Sequence, residues 1–202
     1  SSDLGRRTLR SRRLSSSDTF YWHDYETSGA NPAYDRPIQF AGLRTDSDLN
    51  PVGEPLVMYN RLTPDCLPHP AAVRVTGISP ATVLEQGLPE RIFIDRIHQE
   101  LQRPHTCALG YNSIRFDDEV TRFTLYRNFF SPYAREYGQG RTRWDLIDAV
   151  RAFYALRPEG LQWPTGENGL TSFRLEDLTA ANGIDHGAAH DALADEIGRA
   201  HV

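Results

Sequence analysis

An aromatic run, Phe20-Tyr21-Trp22, opens the first strongly patterned stretch, and rings of this kind favour extended chain. It predicts a β-strand over residues 18–24, with Asp24 and Glu26 alternating at its end. A second strand is expected over residues 38–45, after Asn31-Pro32 and Arg36-Pro37. A third is expected over 53–59, reached by a hairpin connection through 48–53. Residues 62–72, with Pro64, Pro68 and Pro70, read as loop, and Thr76-Gly77-Ile78-Ser79-Pro80 as a turn leading into helix. Apolar residues then recur at helical spacing over 89–101, at Ile92, Phe93, Ile97 and Leu101. A short buried strand over 106–111 follows, then helices over 117–128, 144–156 and 173–181, the last capped by Ser172 and ended by Asn182-Gly183. Three strands, a helix, a further strand and more helices predict an α/β fold with a mixed central sheet flanked by helices.

The chain has 202 residues, 39% of them hydrophobic and 24% charged, which fits one domain with a sizeable core. No apolar run reaches the length of a membrane span, so no membrane association is expected. Cys66 and Cys107, far apart and without metal-ligand spacing, suit a reducing cytoplasmic setting. The net charge of −5 is not that of a strongly basic nucleic-acid binder, so local clusters of cations matter more than the total. Residues 1–17 are basic and low in complexity and read as a disordered or non-native leader. Residues 1–4 and 196–202 read as translated sequencing-library adapters, which leaves 18–195 as the native domain.

The chemistry starts at Trp22-His23-Asp24-Tyr25-Glu26-Thr27. On a strand, residues i and i+2 share a face, so Asp24 and Glu26 aim at one spot, where a divalent cation would offset their repulsion. A solvated edge strand ending in a turn at Ser28-Gly29 is the alternative, and Asp-x-Glu alone does not decide between them. Asn112-Ser113-Ile114-Arg115-Phe116-Asp117 follows an apolar run, and His190 and Asp195 close the sequence as His-x-x-x-x-Asp. This order resembles the three motifs of the DEDD 3′–5′ exonuclease superfamily, in its histidine-bearing branch. The stretches HDYET, NPAYDRPIQFA, GYNSIRFDDEVTR, YALRPEG and SFRLEDLTAANGI are similar to the nuclease domain of the bacterial exonuclease I family.

The resemblance implies a ribonuclease H-like fold and metal-dependent hydrolysis of single-stranded DNA from its 3′ end, releasing 5′-mononucleotides in DNA repair and recombination. It implies that Asp24, Glu26, Asp117 and Asp195 hold two Mg²⁺ ions, with Mn²⁺ as the alternative, and that Glu26 also touches the substrate. His190 and Asp195 lie about 500° apart on an ideal helix. His190 is therefore expected in a loop or first turn, leaning over the site as general base. Phosphates call for cations and bases for aromatic rings, which nominates Arg174 first, then Arg122, Tyr133, Tyr137 and Arg151. Phe129 and Phe130 are expected in the core; Asp118 and Glu119 read as first-turn charges favoured by the helix dipole, Asp145 and Asp148 as a solvated helix face. The family's further C-terminal domains are absent from this sequence; a monomer is expected, with single-strand-binding protein as a partner. RNA trimming is the alternative activity, and an inactive single-strand-binding fragment the alternative that is not an enzyme.

Overall fold

The computed structural model describes residues 18–184. Its centre is a six-stranded mixed sheet in the order β4-β3-β2-β1-β5-β6. Strands β1 (Thr19–Thr27), β2 (Pro37–Thr45) and β3 (Leu56–Arg61) form an antiparallel meander. The two-residue β4 (Leu88–Pro89) joins β3 in parallel at one edge. On the other side β5 (Thr106–Gly110) runs parallel to β1, and β6 (Thr142–Asp145) parallel to β5. The mixed α/β architecture is the expected one.

Helices cover both faces. Helices α1 (Pro70–Thr76), α2 (Pro80–Gln86), α3 (Glu90–Leu101) and α4 (Asp117–Arg127) come before β6, and α5 (Leu146–Leu156) and α6 (Leu175–Ala181) after it. Tyr21 and Tyr25 of β1 and Phe40 of β2 pack against Phe93, Ile94, Ile97 and Leu101 of α3 and Val120 and Leu125 of α4. Trp22, Leu43 and Leu109 form the opposite layer and meet Leu146 at the start of α5. Alternation along β1 thus sends odd-numbered side chains to one layer and even-numbered ones to the other.

Three elements differ from expectation. Residues 62–72 are not all loop, because Pro70 is the first residue of α1, where its missing N–H costs nothing, and His69 Nδ1 accepts the Ala71 amide as its cap. Trp144 and Asp145 belong to β6, not to α5; this edge strand is defined by pairing with β5, a partner far away in sequence. Helix α6 begins at Leu175, with Arg174 extended at the N-cap; the Ser172 hydroxyl binds the Asp177 carboxylate and accepts the Arg174 amide.

Candidate active site

Asp24 and Glu26 lie on the even face of β1, half-buried, in the layer that α5 covers. Register places Ala41 opposite Asp24 and Gln39 opposite Glu26. The buried Gln39 Oε1, on the Glu26 side, has no hydrogen-bond partner among the described residues.

Pairing between β1 and β5 ends at Trp22 and Leu109, so β1 runs on beyond its parallel neighbour. The chain leaves β5 at Gly110, where a Cβ would stand 2.6 Å from Ser113 Cβ and 3.0 Å from the His23 carbonyl; only glycine allows this approach. Asp145, fully buried, holds the turn that follows: its carboxylate accepts the amides of Asn112 (2.7 Å), Ile114 (3.1 Å) and Ile147 (3.2 Å). The turn delivers Asp117 to the part of β1 that β5 does not cover. Asp117 Oδ1 accepts the Tyr25 amide at 3.1 Å, and the Thr121 hydroxyl links the Asp117 carbonyl (2.8 Å) with the Tyr25 hydroxyl (3.0 Å). The third carboxylate is therefore tied to the strand that carries the other two.

Beside it, Asp118 is a first-turn charge of α4, as expected, but it is 2% exposed and paired with Arg135 and Arg143. Burial pushes the Asp118 carboxyl upward, but Arg135, then His23 and the Arg143 hydrogen bond, outweigh this and hold it below the usual carboxylate value. His23 lies on the odd face, buried, and desolvation lowers it to about 4, so its ring is neutral at pH 7. A cleft of about 560 Å³ opens at the end of β1, walled by Tyr25, Glu26, Thr27, Phe116, His69 and Val75.

His190 and Asp195 lie outside the described residues. Among the described residues, no group of three or more His, Cys, Asp and Glu side chains is arranged to hold a metal ion. Asp24, Glu26 and Asp117 share a neighbourhood without forming a complete ligand set there.

The nucleic-acid candidates separate by layer. Arg151 on α5 and Arg174 before α6 are exposed, each with one carboxylate nearby, Asp148 at 3.3 Å and Glu176 at 3.5 Å. They belong to the helices on the Asp24 side of the sheet. Arg122 is on α4, in the other layer, held by Glu119 and by Glu136 (3.1 Å), with Tyr133 under its guanidinium. The Arg122 guanidinium, expected on a phosphate, already has two carboxylates beside it. Tyr133 shares that layer, and Tyr137 is exposed beyond it. Phe130 packs against the core as expected, whereas Phe129 is 96% exposed.

Asp145 is the functional support that sequence reading missed. An acidic residue immediately before the apolar periodicity of α5 is the N-cap signal that identifies it.

Residues 21–196 match the family model described as RNase_T, exonuclease. Exodeoxyribonuclease I of Escherichia coli strain K12 is 56% identical over 177 residues, which cover 88% of this chain and 37% of that protein. The crystal structure of E. coli exonuclease I in complex with a dA16 oligonucleotide superposes with a TM-score of 0.88 at 55% identity, covering 90% of this chain and 39% of that one. The zinc-bound form of the E. coli enzyme with single-stranded DNA superposes with a TM-score of 0.87 at 55% identity, over 91% and 39% of the two chains. The chain thus spans about 37% of the length of the curated relative, as a ribonuclease H-like nuclease fold. With the motif order, the fold and the family match in agreement, this chain belongs to the RNase_T exonuclease family.

Proposed function

We propose that this chain is the catalytic portion of a metal-dependent 3′–5′ exodeoxyribonuclease, which hydrolyses single-stranded DNA to 5′-mononucleotides in DNA repair and recombination. The observation that carries the reading is the placement of Asp24 and Glu26 on one face of β1, with Asp117 bonded to the Tyr25 amide between them. The donor set suits a hard divalent cation: carboxylate oxygens, with the unsatisfied Gln39 Oε1 on the same face. Asp24, Glu26, Asp117 and Asp195 are the residues that would hold Mg²⁺, or Mn²⁺ in its place. Two such cations would offset the carboxylate charge, acidify a bound water and stabilise the attacking and leaving oxygens.

The remaining work falls to the chain. The cleft at the end of β1 receives the 3′-terminal nucleotide, with Tyr25, Phe116 and Val75 as apolar walls and the Tyr25–Thr27 backbone beside the sugar. His190 takes the proton from the attacking water; an unperturbed imidazole near pKa 6.5 suits that task at neutral pH. Arg151 and Arg174 draw the phosphates of the incoming strand. The enzyme acts as a cytoplasmic monomer and meets single-strand-binding protein on its substrate.

The test uses a 5′-labelled single-stranded DNA and an RNA of equal sequence, with Mg²⁺ and with chelator, beside Asp24→Ala. A metal-dependent ladder shortening from the 3′ end of DNA, lost in the variant, is expected. Shortening of RNA alone would move the assignment to an exoribonuclease. No cleavage by the folded chain, with cleavage restored in the full parent protein, would assign activity to the longer molecule only.

A further inference from the structure

We propose that Asp118, clamped by Arg135 and Arg143, is the positioning unit of the site: it fixes the first turn of α4 so that Asp117 faces β1. The inference rests on the nuclease reading and deepens it.

Successive residues of a helix diverge by about 100°, so Asp117 and Asp118 face different partners. Asp117 turns to the Tyr25 amide, while Asp118 turns to β6 and to the short 3₁₀ segment Ala134–Glu136. Both oxygens of Asp118 are engaged at 2.7 Å, Oδ1 by Arg135 Nη2 and Oδ2 by Arg143 Nη1. Arg135 Nη2 also donates to the Asp118 carbonyl at 3.3 Å, so side chain and backbone of one residue are held together. The N-cap of α4, Phe116, supplies no side-chain hydrogen bond. A side-chain cap is missing at this helix start, and the arginine clamp restrains the first turn from its side instead.

Stability alone is a poor reason for this cluster. The Arg135 side chain is 1% exposed, and its Nε and Nη1 are buried without hydrogen-bond partners among the described residues. Apolar side chains of the same volume would stabilise the fold as well or better. The directed hydrogen bonds of this charge cluster point instead to a role in orientation. Asp117 depends on orientation, since a shift of the helix start would move its second carboxylate oxygen relative to Asp24 and Glu26. Arg143 extends the clamp through Glu136 (3.3 Å) to Arg122 (3.1 Å), further along α4.

The experiment measures Mn²⁺ binding by electron paramagnetic resonance and by calorimetry on the full chain. Wild type is compared with Asp118→Asn, Arg143→Gln, Arg143→Lys and Asp24→Ala, with thermal melting of each metal-free protein. Residues that support metal ligands from behind typically contribute about 10- to 100-fold in affinity. We expect Asp118→Asn and Arg143→Gln to lose about tenfold in Mn²⁺ affinity. We expect kcat to fall in parallel at unchanged KM for the oligonucleotide, with Arg143→Lys restoring most of both. Wild-type affinity in a folded Arg143→Gln would overturn the inference, also where Asp118→Asn fails to fold. Wild-type protein that binds no Mn²⁺, or binds it equally after Asp24→Ala, would overturn the site assignment and this inference with it. Binding that depends on Asp24 but not on Asp118 or Arg143 would overturn this inference alone.

Discussion

Asp117 Oδ1 accepts the backbone amide of Tyr25 at 3.1 Å, across a sequence separation of 92 residues. One carboxylate oxygen thereby completes the hydrogen bonding of β1 where β5 has stopped. Asp117→Ala should lose stability as well as activity, because a buried amide loses its acceptor at a cost of about 1–3 kcal/mol. Asp24→Ala should lose activity by about two to three orders of magnitude, the scale of removing a group that stabilises transition-state charge, with little loss of stability. Melting temperature and single-turnover cleavage, measured on both variants, separate the two roles. Equal melting temperatures would count against the structural part of Asp117.

Asp145 terminates three amides from two segments. Asp145→Ala removes the cap of α5 and releases the turn that presents Asp117. A destabilisation of about 2–4 kcal/mol is expected from a lost helix cap and two further, only part-buried, amides. Urea denaturation measures it; a change below 1 kcal/mol, on the order of an exposed cap alone, would refute the anchoring role.

His23 gives the fold a defined pH response. Its folded-state pKa is depressed to about 4 from 6.5 by burial. Between those values the unfolded chain binds a proton that the folded chain does not. Stability is therefore full above pH 6.5 and falls as pH drops towards 4. The contribution is up to about 3 kcal/mol. His23→Phe, placed among the rings of Tyr21, Tyr25 and Phe40, should flatten this slope. Urea midpoints at pH 7, 6 and 5 test it, and parallel slopes for wild type and variant would be incompatible with the assignment.

Phe129 occupies the left-handed position that follows the last turn of α4, with φ 62°. Its amide donates to the Tyr126 carbonyl (3.1 Å) and the Phe130 amide to the Leu125 carbonyl (3.0 Å), the hydrogen-bond pair of a Schellman cap. Glycine is the usual residue here, and a side chain that is almost entirely solvated gains nothing in exchange. Phe129→Gly should raise stability by about 1 kcal/mol. A fall in melting temperature would mean that the ring makes stabilising contacts.

Much of this molecule was legible from the chain alone. The aromatic run and the alternation at Asp24 and Glu26 established a strand with two carboxylates on one face, because the period of an extended chain is local geometry. The helical spacing at Phe93, Ile97 and Leu101 located α3 for the same reason. The order of the motifs, from Asp24 to Asp195, carried the family. Tertiary structure alone decided the rest. It made β6 a strand, since pairing with β5 and not local pattern defines it. It buried Asp118 and Asp145, because a carboxylate leaves water only where arginines or amides from distant segments meet it. It assigned Arg122 to an ion-pair network and Arg151 and Arg174 to the layer of the candidate site, which depends on the face of the sheet that each helix covers. Periodicity tells which residues of one element share a face; only packing tells which faces meet.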